Sequence, residues 1–248
     1  MNRNPGIGSQ SRPVVVVVDG LIACGKTTYL SMLIKVLARK GWRVTIVKEP
    51  IEKWNEPSPD GGPSLFQLFN GDPGRWGYHF QTKAFYDRVM ENKEMFSKYG
   101  DSSDVFILER SCFTDGLFMG ALHDAKLVTN LEMRDYNDWC RMWAEVMPYE
   151  PDLFIYLRPP VEVCMERLKE RNRPGEEKIT KEYQLNLQER HDKFFSEDAV
   201  SISGSHFVPC VRLETTENYR DDFSVQEKYA THFEKLVKTI TDARSNSK

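Results

Sequence analysis

Residues 20–27 read Gly-Leu-Ile-Ala-Cys-Gly-Lys-Thr and match the pattern Gly-x-x-x-x-Gly-Lys-[Ser/Thr] in full. They follow a run of valines that predicts a buried strand, and they precede a predicted helix, which is the context this pattern requires. The glycines let backbone N–H groups curl around a phosphate, and the helix N-terminus adds positive potential. Lys26 can reach the β- and γ-phosphate oxygens, and the hydroxyl of Thr27 can bind Mg²⁺. The segment therefore predicts a nucleoside triphosphate site, against the alternative of a chance glycine-rich turn.

Two further predicted strands end in charged side chains. Glu49 ends one of them, where it could take a proton from an attacking hydroxyl. Glu109 and Arg110 end the next, where the carboxylate could serve Mg²⁺ and the guanidinium could neutralise phosphate charge. In open α/β sheets, ligands bind in the crevice outside the carboxyl ends of the strands. These side chains are therefore candidates for the acceptor side of the reaction, against the alternative of solvated strand-end carboxylates.

Positioning these groups requires strands that alternate with helices. The predicted strands are Val14–Asp19, Arg43–Lys48, Asp104–Leu108, Asp152–Leu157 and Phe207–Leu213. The predicted helices are one from Gly25 to Gly41, then Phe80–Tyr99, Asn130–Met147, Val161–Arg171, Lys181–Phe195 and Val225–Ala243. Pro209 lacks an N–H donor, which places the last strand at the edge. The alternation predicts a single α/β domain whose five-stranded parallel sheet is flanked by helices on both faces.

Composition limits the function class. The 248 residues carry a net charge of −3 and are 40% hydrophobic and 29% charged, which is typical of an ordinary globular protein. Without a basic tract, we expect no nucleic acid partner. No apolar run approaches the roughly 20 residues of a membrane helix, so we expect no membrane partner either. The five cysteines contain no Cys-x-x-Cys, which favours a reducing, cytoplasmic compartment.

Domain boundaries follow from the same patterns. We expect residues 1–13 to be a disordered leader without the apolar region of a signal peptide. Residues 14–243 form the predicted domain, and residues 244–248 a flexible tail.

Several longer motifs together resemble the deoxyribonucleoside kinases, the relatives of deoxycytidine, deoxyguanosine and mitochondrial thymidine kinases. The motifs follow the order and spacing of that family, and the resemblance extends from about Val14 to the C-terminal helix. They are DGLIACGKTT, EPIEKW, GDPGRWGYHFQ, ERSCFTD and RLKERNR. The resemblance implies a P-loop kinase that transfers the γ-phosphoryl of ATP, with Mg²⁺, to the 5′-hydroxyl of a deoxyribonucleoside in nucleoside salvage.

The resemblance also implies roles for single residues. Glu49 maps onto the catalytic base and Arg110 onto the arginine beside the 5′-oxygen, with Lys26 as a third catalytic residue. The implied nucleotide-binding residues are Gly20, Ala23, Cys24, Gly25, Lys26, Thr27, Thr28, Arg167, Arg171 and Arg173, and the implied metal ligands are Thr27 and Glu109. The three arginines correspond to the family's lid; the alternative is a solvated basic face paired with Glu166, Glu170 and Glu176.

The base pocket maps onto the motif that ends at Gln81, whose carboxamide can pair with the edge of a base. Arg88 follows two helical turns later, and relatives that accept deoxycytidine and purine nucleosides pair this arginine with the residue at Asp115. Small Ala84 also follows their pattern, whereas thymidine-favouring relatives carry apolar residues at the arginine and aspartate positions and a bulkier one at the alanine. We therefore expect deoxycytidine and/or purine deoxynucleosides to be preferred over thymidine. The alternative is a helix-surface arginine and an unrelated aspartate.

The remaining substrate residues include two departures from the family. Trp54 and Phe80 match its aromatic walls, and Glu176, or Glu177 if the register slips by one, matches its ligand of the sugar 3′-hydroxyl. The first departure is Asn70, which stands where relatives carry a tyrosine that contacts this hydroxyl. The second concerns the position at which relatives carry a second stacking phenylalanine. Counting from Arg110 gives Met119 at this position, with Phe118 one residue early.

The family forms homodimers through a helix bundle. The segments Phe80–Tyr99 and Asn130–Met147 could supply that surface through Trp139, Met142 and Trp143, which could equally belong to the core.

Two other interpretations stay open. A thymidylate-type nucleoside monophosphate kinase shares the phosphate loop but calls for extra arginines near the second strand, which here ends in the acidic run EPIEKW. A non-catalytic nucleotide-binding subunit has no need of Lys26, Glu49 and Arg110 together.

Overall fold

The computed structural model describes residues 12–173, 175–196, 199–203, 206–217 and 219–246. Residues 1–11 of the expected leader and 247–248 of the expected tail therefore lie outside the described residues. Within the described part the strands are β1 (Val14–Gly20), β2 (Val44–Val47), β3 (Val105–Glu109), β4 (Leu153–Leu157), β5 (Ala199–Ser203) and β6 (His206–Leu213). They form one sheet in the order β2-β3-β1-β4-β6-β5.

The sheet is parallel except at one edge. β1 pairs with β3 on one side and with β4 on the other, while β2 extends the sheet beyond β3. Val18 lies opposite Glu109, and Val47 lies opposite Leu108. Because these strands run in one direction, the segments that follow β1, β2 and β3 emerge at the same edge of the sheet. This register brings the phosphate loop, Glu49 and Arg110 together.

The sheet differs from the sequence prediction at its far side. All five predicted strands are present, but a sixth, β5, pairs antiparallel with β6. The prediction that Phe207–Leu213 is an edge strand was therefore wrong. Pro209 is tolerated there because the pairing of β6 with β4 begins only at Cys210, so the missing N–H withholds no bond from that ladder.

The helices cover both faces of this sheet. They are α1 (Lys26–Arg39), α2 (Ile51–Trp54), α3 (Leu65–Gly71), α4 (Pro73–Tyr99), α5 (Gly116–Asp124), α6 (Asn130–Val146), α7 (Val161–Arg171), α8 (Lys181–Phe194) and α9 (Phe223–Asn246). The sequence did not predict α2, α3 and α5. α4 begins earlier than predicted because Asp72 caps it by accepting from the N–H of Arg75, with proline at the first position. α9 continues through Asn246, into the segment expected to be a tail.

Two apolar layers hold the helices against the sheet. Val14, Val16 and Val18 face the layer that contains residues of α1, α7 and α9. Val15 and Val17 face the opposite layer, which contains aromatic side chains from α4 and the chain before β4. β1 is buried throughout, which explains its uninterrupted valines and confirms the predicted two-sided sheet. Among the described helices, none combines the length and the apolar character that crossing a membrane would need.

Candidate active site

A cavity of about 710 Å³ opens at the carboxyl ends of β1, β2 and β3. The structure brings most of the sequence-predicted site residues into its lining. These are Ala23, Gly25, Lys26, Thr27, Thr28, Glu49, Trp54, Asn70, Phe80, Gln81, Ala84, Arg88, Glu109, Arg110, Asp115, Arg167, Arg171, Arg173 and Glu176. Gly20 and Cys24 belong to the phosphate loop but lie behind this lining. The cavity thus joins the phosphate loop at one end to an aromatic pocket at the other.

The phosphate loop is tightly packed against the end of β4. A Cβ atom at Gly20 would lie 2.3 Å from the carbonyl oxygen of Leu157, so only glycine fits there. Gly25 caps α1 with φ 105°, a conformation that favours glycine. The ammonium of Lys26 donates to the carbonyl oxygens of Leu21 (2.9 Å) and Gly20 (3.3 Å). The loop therefore holds its lysine beside the helix N-terminus, where an anion would bind.

Thr27 and Glu109 form a pair of oxygen donors beside this loop. The Thr27 hydroxyl donates to Glu109 Oε1 at 2.8 Å. Burial and the negative charge of Glu49 raise the pKa of Glu109, and Lys26 and the Thr27 hydrogen bond oppose this only in part. Hydroxyl and carboxylate oxygens suit Mg²⁺, which keeps several waters and binds through one or two carboxylates plus substrate phosphates. Among the described residues, no group of three or more His, Cys, Asp or Glu could hold a metal ion. The pair fits a metal that is shared with a nucleotide.

Five ionised side chains form a continuous series across the cavity floor, here called the ion-pair chain. Its members, in order, are Asp19, Arg110, Glu49, Arg88 and Asp115. Arg110 Nη1 donates to Asp19 Oδ1 (2.8 Å), and Arg110 Nε lies 3.1 Å from Glu49 Oε1. Arg88 Nη2 donates to Glu49 Oε1 (2.8 Å), and Arg88 Nη1 donates to Asp115 Oδ1. The chain links the phosphate loop to the far pocket and confirms that Arg88 and Asp115 pair inside the protein, not on its surface.

The two acids of the chain's far half respond differently to their surroundings. Burial by itself raises the pKa of Glu49, but the charges of Arg110, Arg88 and Lys26 outweigh burial and hold that pKa below its ordinary value. Burial raises the pKa of Asp115 to about 6, because Arg88 offsets only part of the loss of water. Glu49 is therefore an anion at neutral pH. The two guanidinium contacts described above both involve its Oε1 atom.

Arg110 is held in a conformation that few non-glycine residues adopt. Its φ is 63°, in the left-handed region, which costs about 1–3 kcal/mol and persists only where neighbouring contacts fix it. The guanidinium also lies 4.4 Å above the ring of Phe118. Phe118 lines the cavity, whereas Met119 is buried in an apolar cluster behind it. The residue that faces the cavity is therefore Phe118, one position before the one that counting from Arg110 indicates.

Aromatic rings surround the far end of the cavity. Trp54 and Phe80 meet edge to face with centroids 5.6 Å apart, and Phe80 stacks on Phe69 at 4.5 Å. The buried side chains of Gln81 and Ala84 follow on α4. Phe66 and Phe69 of α3 also line the cavity, and sequence analysis missed both. The apolar spacing of Leu-Phe-Gln-Leu-Phe at residues 65–69 could have revealed this helix.

Arg167, Arg171 and Arg173, the arginines predicted to form a lid, all line the cavity. Arg167 donates to the carbonyl oxygen of Cys24 at 2.8 Å, which places it on the phosphate loop. Arg171 donates twice to Glu176 (2.9 and 2.7 Å), and Arg173 lies 3.3 Å from the same carboxylate. Of the three acidic partners considered for a solvated face, Glu176 is the one that these two arginines contact.

Glu176 and Asn70 lie at the same place on the cavity wall. Glu176 is buried and lines the cavity, whereas Glu177 is exposed. A Cβ atom at Gly175 would lie 2.4 Å from Asn70 Nδ2, which shows how closely α3 approaches the segment after α7. A sugar at this end of the cavity would meet a carboxylate and a carboxamide.

Other lining residues were missed because their segments carry no motif. Tyr183 comes from α8, and the segment after β6 contributes residues 216, 217 and 219–221. Tyr219 donates to the carbonyl oxygen of Gly25 at 3.2 Å. Asp19 was also missed; its signal is a charged residue at the end of a fully apolar strand.

Comparisons with known proteins agree with this geometry. The sequence profile described as Deoxynucleoside kinase matches residues 16–238. The chain is 29% identical to "Probable deoxycytidine kinase FPV151" of fowlpox virus (strain NVSL), covering 91% of this chain and 88% of that protein. It is 30% identical to deoxycytidine kinase 2 of Gallus gallus, covering 88% of each. It is 26% identical to the mitochondrial deoxyguanosine kinase of Xenopus laevis, covering 83% of this chain and 82% of that protein. The chain belongs to the deoxynucleoside kinase family.

Proposed function

We propose that this deoxynucleoside kinase transfers the γ-phosphoryl group of ATP to the 5′-hydroxyl of deoxycytidine and/or a purine deoxynucleoside, in preference to thymidine. The observation that carries this proposal is the ion-pair chain, which places an anionic carboxylate between the phosphate loop and a polar, aromatic pocket. In-line transfer needs the phosphate-binding loop, the carboxylate and the nucleoside pocket in that order.

The phosphate end supports binding of a triphosphate. Lys26, Arg110 and Arg167 place positive charge around the loop, where they would stabilise the equatorial oxygens in the transition state. Thr27 and Glu109 would hold Mg²⁺, which when bound neutralises charge on the β- and γ-phosphates. These residues do little covalent chemistry; they align the groups and balance their charge.

Glu49 is the proposed general base. Its Oε1 atom accepts from Arg88 and lies beside Arg110, which leaves Oε2 for the 5′-hydroxyl. The hydroxyl proton moves to Glu49 as the oxygen bonds to the γ-phosphorus, and the bond from that phosphorus to ADP breaks. A carboxylate with a lowered pKa is a weak base, but bond formation to the hydroxyl is late in a loose transition state.

The base end supports the proposed preference. The Arg88–Asp115 pair is buried beside Gln81, so these side chains can offer donors and acceptors to a cytosine or purine edge. The guanidinium lies 5.5 Å from the Trp54 ring, where it would crowd the 5-methyl group of thymine. The relatives named deoxycytidine and deoxyguanosine kinases support the same preference.

Sugar recognition is assigned to the cavity wall formed by Glu176 and Asn70. Glu176 would accept a hydrogen bond from the 3′-hydroxyl, as its burial at the cavity supports. Asn70 Nδ2 is buried without a hydrogen-bond partner among the described residues, which leaves it available as a donor near the sugar.

We also propose a homodimer through the face formed by α4 and α6. Its exposed apolar side chains include Met90, Trp139, Met142 and Val146. Trp139 stacks on Trp143 at 6.2 Å, and Trp143 in turn packs against the buried cluster behind it. Exposed apolar residues grouped on a helical face are typical of an interface between protein chains.

The two other interpretations have less support. A nucleotide acceptor would bring its own phosphate toward Glu49, and an anionic carboxylate opposes that placement. A non-catalytic subunit would not need the ion-pair chain, whose burial costs several kcal/mol per ion before pairing.

The deciding experiment offers the four natural deoxynucleosides and their monophosphates separately to the protein with Mg·ATP. Products are separated by ion-exchange chromatography. We expect deoxynucleoside 5′-monophosphates, with thymidine the poorest nucleoside. Phosphorylation of monophosphates alone, or ATP consumption without any acceptor dependence, would refute the proposal.

A further inference from the structure

His191 is a fully buried histidine of α8 that the proposed chemistry does not use. Its ring stacks on Tyr156 (5.7 Å) and meets the edge of Phe118 (6.1 Å). Nδ1 lies 2.7 Å from the carbonyl oxygen of Leu187, and Nε2 lies 3.4 Å from Asp19 Oδ1. A carbonyl and a carboxylate only accept hydrogen bonds, so each ring nitrogen faces an acceptor. His191 is therefore placed to donate to Asp19 through Nε2.

Asp19 joins His191 to the site. It has no exposed surface, and its Oδ1 accepts from the N–H of Gly20 (2.7 Å) and from Arg110 Nη1 (2.8 Å). Burial raises the pKa of Asp19, but Arg110, His191 and the Thr114 hydroxyl together hold it well below its ordinary value. One carboxylate therefore fixes both the first residue of the phosphate loop and the catalytic arginine.

Helix α8 also holds the phosphate loop at a second point. Gln184, two turns before His191, donates from Nε2 to the carbonyl oxygen of Ile22 at 2.8 Å. The same helix face thus contacts the middle of the loop and, through Asp19, its beginning.

We propose that His191 is a positioning residue for phosphoryl transfer, which acts through Asp19 to hold Arg110 and the start of the phosphate loop in place. The inference rests on the proposed function. Arg110 has a strained backbone, so its guanidinium depends on its partners for its position. A displacement of about 1 Å in a catalytic group can cost about 100-fold in rate.

The test compares H191F, H191Q and F194L with the wild-type protein. H191F keeps an aromatic ring against Tyr156 but removes both donors, and H191Q keeps one donor. We expect kcat to fall roughly 10- to 100-fold in H191F, with KM for both substrates within about threefold, and to recover in large part in H191Q. F194L is the matched control, because the Phe194 ring lies on the same helix and packs on Phe154 (6.4 Å) and Phe195 (4.9 Å). It should lower Tm and leave kcat within about twofold.

A double-mutant cycle with R110K separates positioning from general damage. If His191 acts through Arg110, H191F should cost little further kcat in the R110K background. Should H191F fail to fold, D19N takes its place in the cycle with the same expectation. Additive losses, or a folded H191F with kcat within threefold of wild type, would overturn the proposal. So would a ¹⁵N spectrum at pH 7 that shows no proton on His191 Nε2, the nitrogen that faces Asp19. Turnover of the wild-type protein is measured in the same assay. If the wild type does not phosphorylate nucleosides, the proposed function has failed, and the role of His191 is a separate question.

Discussion

Removing the Arg88–Asp115 pair tests the specificity argument most directly. Arg88 contacts both Glu49 and Asp115 inside the protein, so R88M alone leaves two buried carboxylates without their shared partner. Breaking a buried pair in this way costs about 3–5 kcal/mol of unfolding free energy, a large part of a typical total of about 5–15 kcal/mol. D115A alone leaves Arg88 bound to Glu49 and should cost about 2 kcal/mol. The double variant should cost about 1–3 kcal/mol less than the sum of the two single changes.

The same double variant should change which nucleoside is used. Each hydrogen bond from a charged group to the base is worth about 1.5–3 kcal/mol, so R88M/D115A should lose that much or more with deoxycytidine. Thymidine loses less and gains room for its methyl group. We expect the ratio of kcat/KM for thymidine to that for deoxycytidine to rise about 10- to 100-fold. Steady-state kinetics with all four deoxynucleosides measures the ratio, and urea unfolding measures the free energies.

The control for this experiment is K83M/D87A. Lys83 and Asp87 form an ion pair one helical turn apart on the same helix, and neither lines the cavity. This variant should leave the ratio unchanged. If R88M/D115A folds and its ratio stays within about threefold of wild type, the two charges do not select the base, and the reasoning is wrong.

Three further outcomes are expected. E49Q should lower kcat by about 100-fold or more while ATP affinity, measured by calorimetry, stays within about twofold; near-wild-type turnover would remove Glu49 from the mechanism. For deoxycytidine, kcat/KM should fall as the pH drops through about 6. The raised pKa of Asp115 means that its carboxyl takes up a proton there, which weakens its charge pairing with Arg88. Glu49 has a lowered pKa and stays ionised in that range. A profile that is flat to pH 4.5 would contradict this. W139E/M142E should sediment as a monomer and wild type as a dimer; identical sedimentation would refute the proposed interface.

The parts of the site that short motifs encode were predictable. The phosphate loop, Glu49 and Arg110 each follow a strand directly, and parallel strands deliver such residues to one edge whatever the rest of the chain does. The pairing of Arg88 with Asp115 depended on the family pattern, because helix spacing alone does not show what lies opposite a helix.

Other features depend on tertiary contacts that local sequence does not express. Counting from Arg110 indicated Met119 with Phe118 one residue early, and only the packing of α5 shows that Phe118 faces the cavity while Met119 is buried behind it. β5 is a short alternating run, Ala-Val-Ser-Ile-Ser, that pairs with the next strand in the chain, and sequence analysis missed it because the run is only five residues long. Asp19 looked like the end of an apolar strand, since neither His191 nor Arg110 is near it in the chain.

If Glu176, Arg171 and Arg173 have the proposed roles, the salt bridges of Glu176 would couple the binding of the nucleoside to the binding of ATP. While this carboxylate accepts from Arg171 and Arg173, those guanidinium groups are already neutralised and less free to receive a triphosphate. A nucleoside whose 3′-oxygen engages Glu176 weakens that hold, so each ligand should raise affinity for the other by the same factor. A dideoxynucleoside, with no oxygen at that carbon, would forfeit this mutual assistance even if its base were bound equally well.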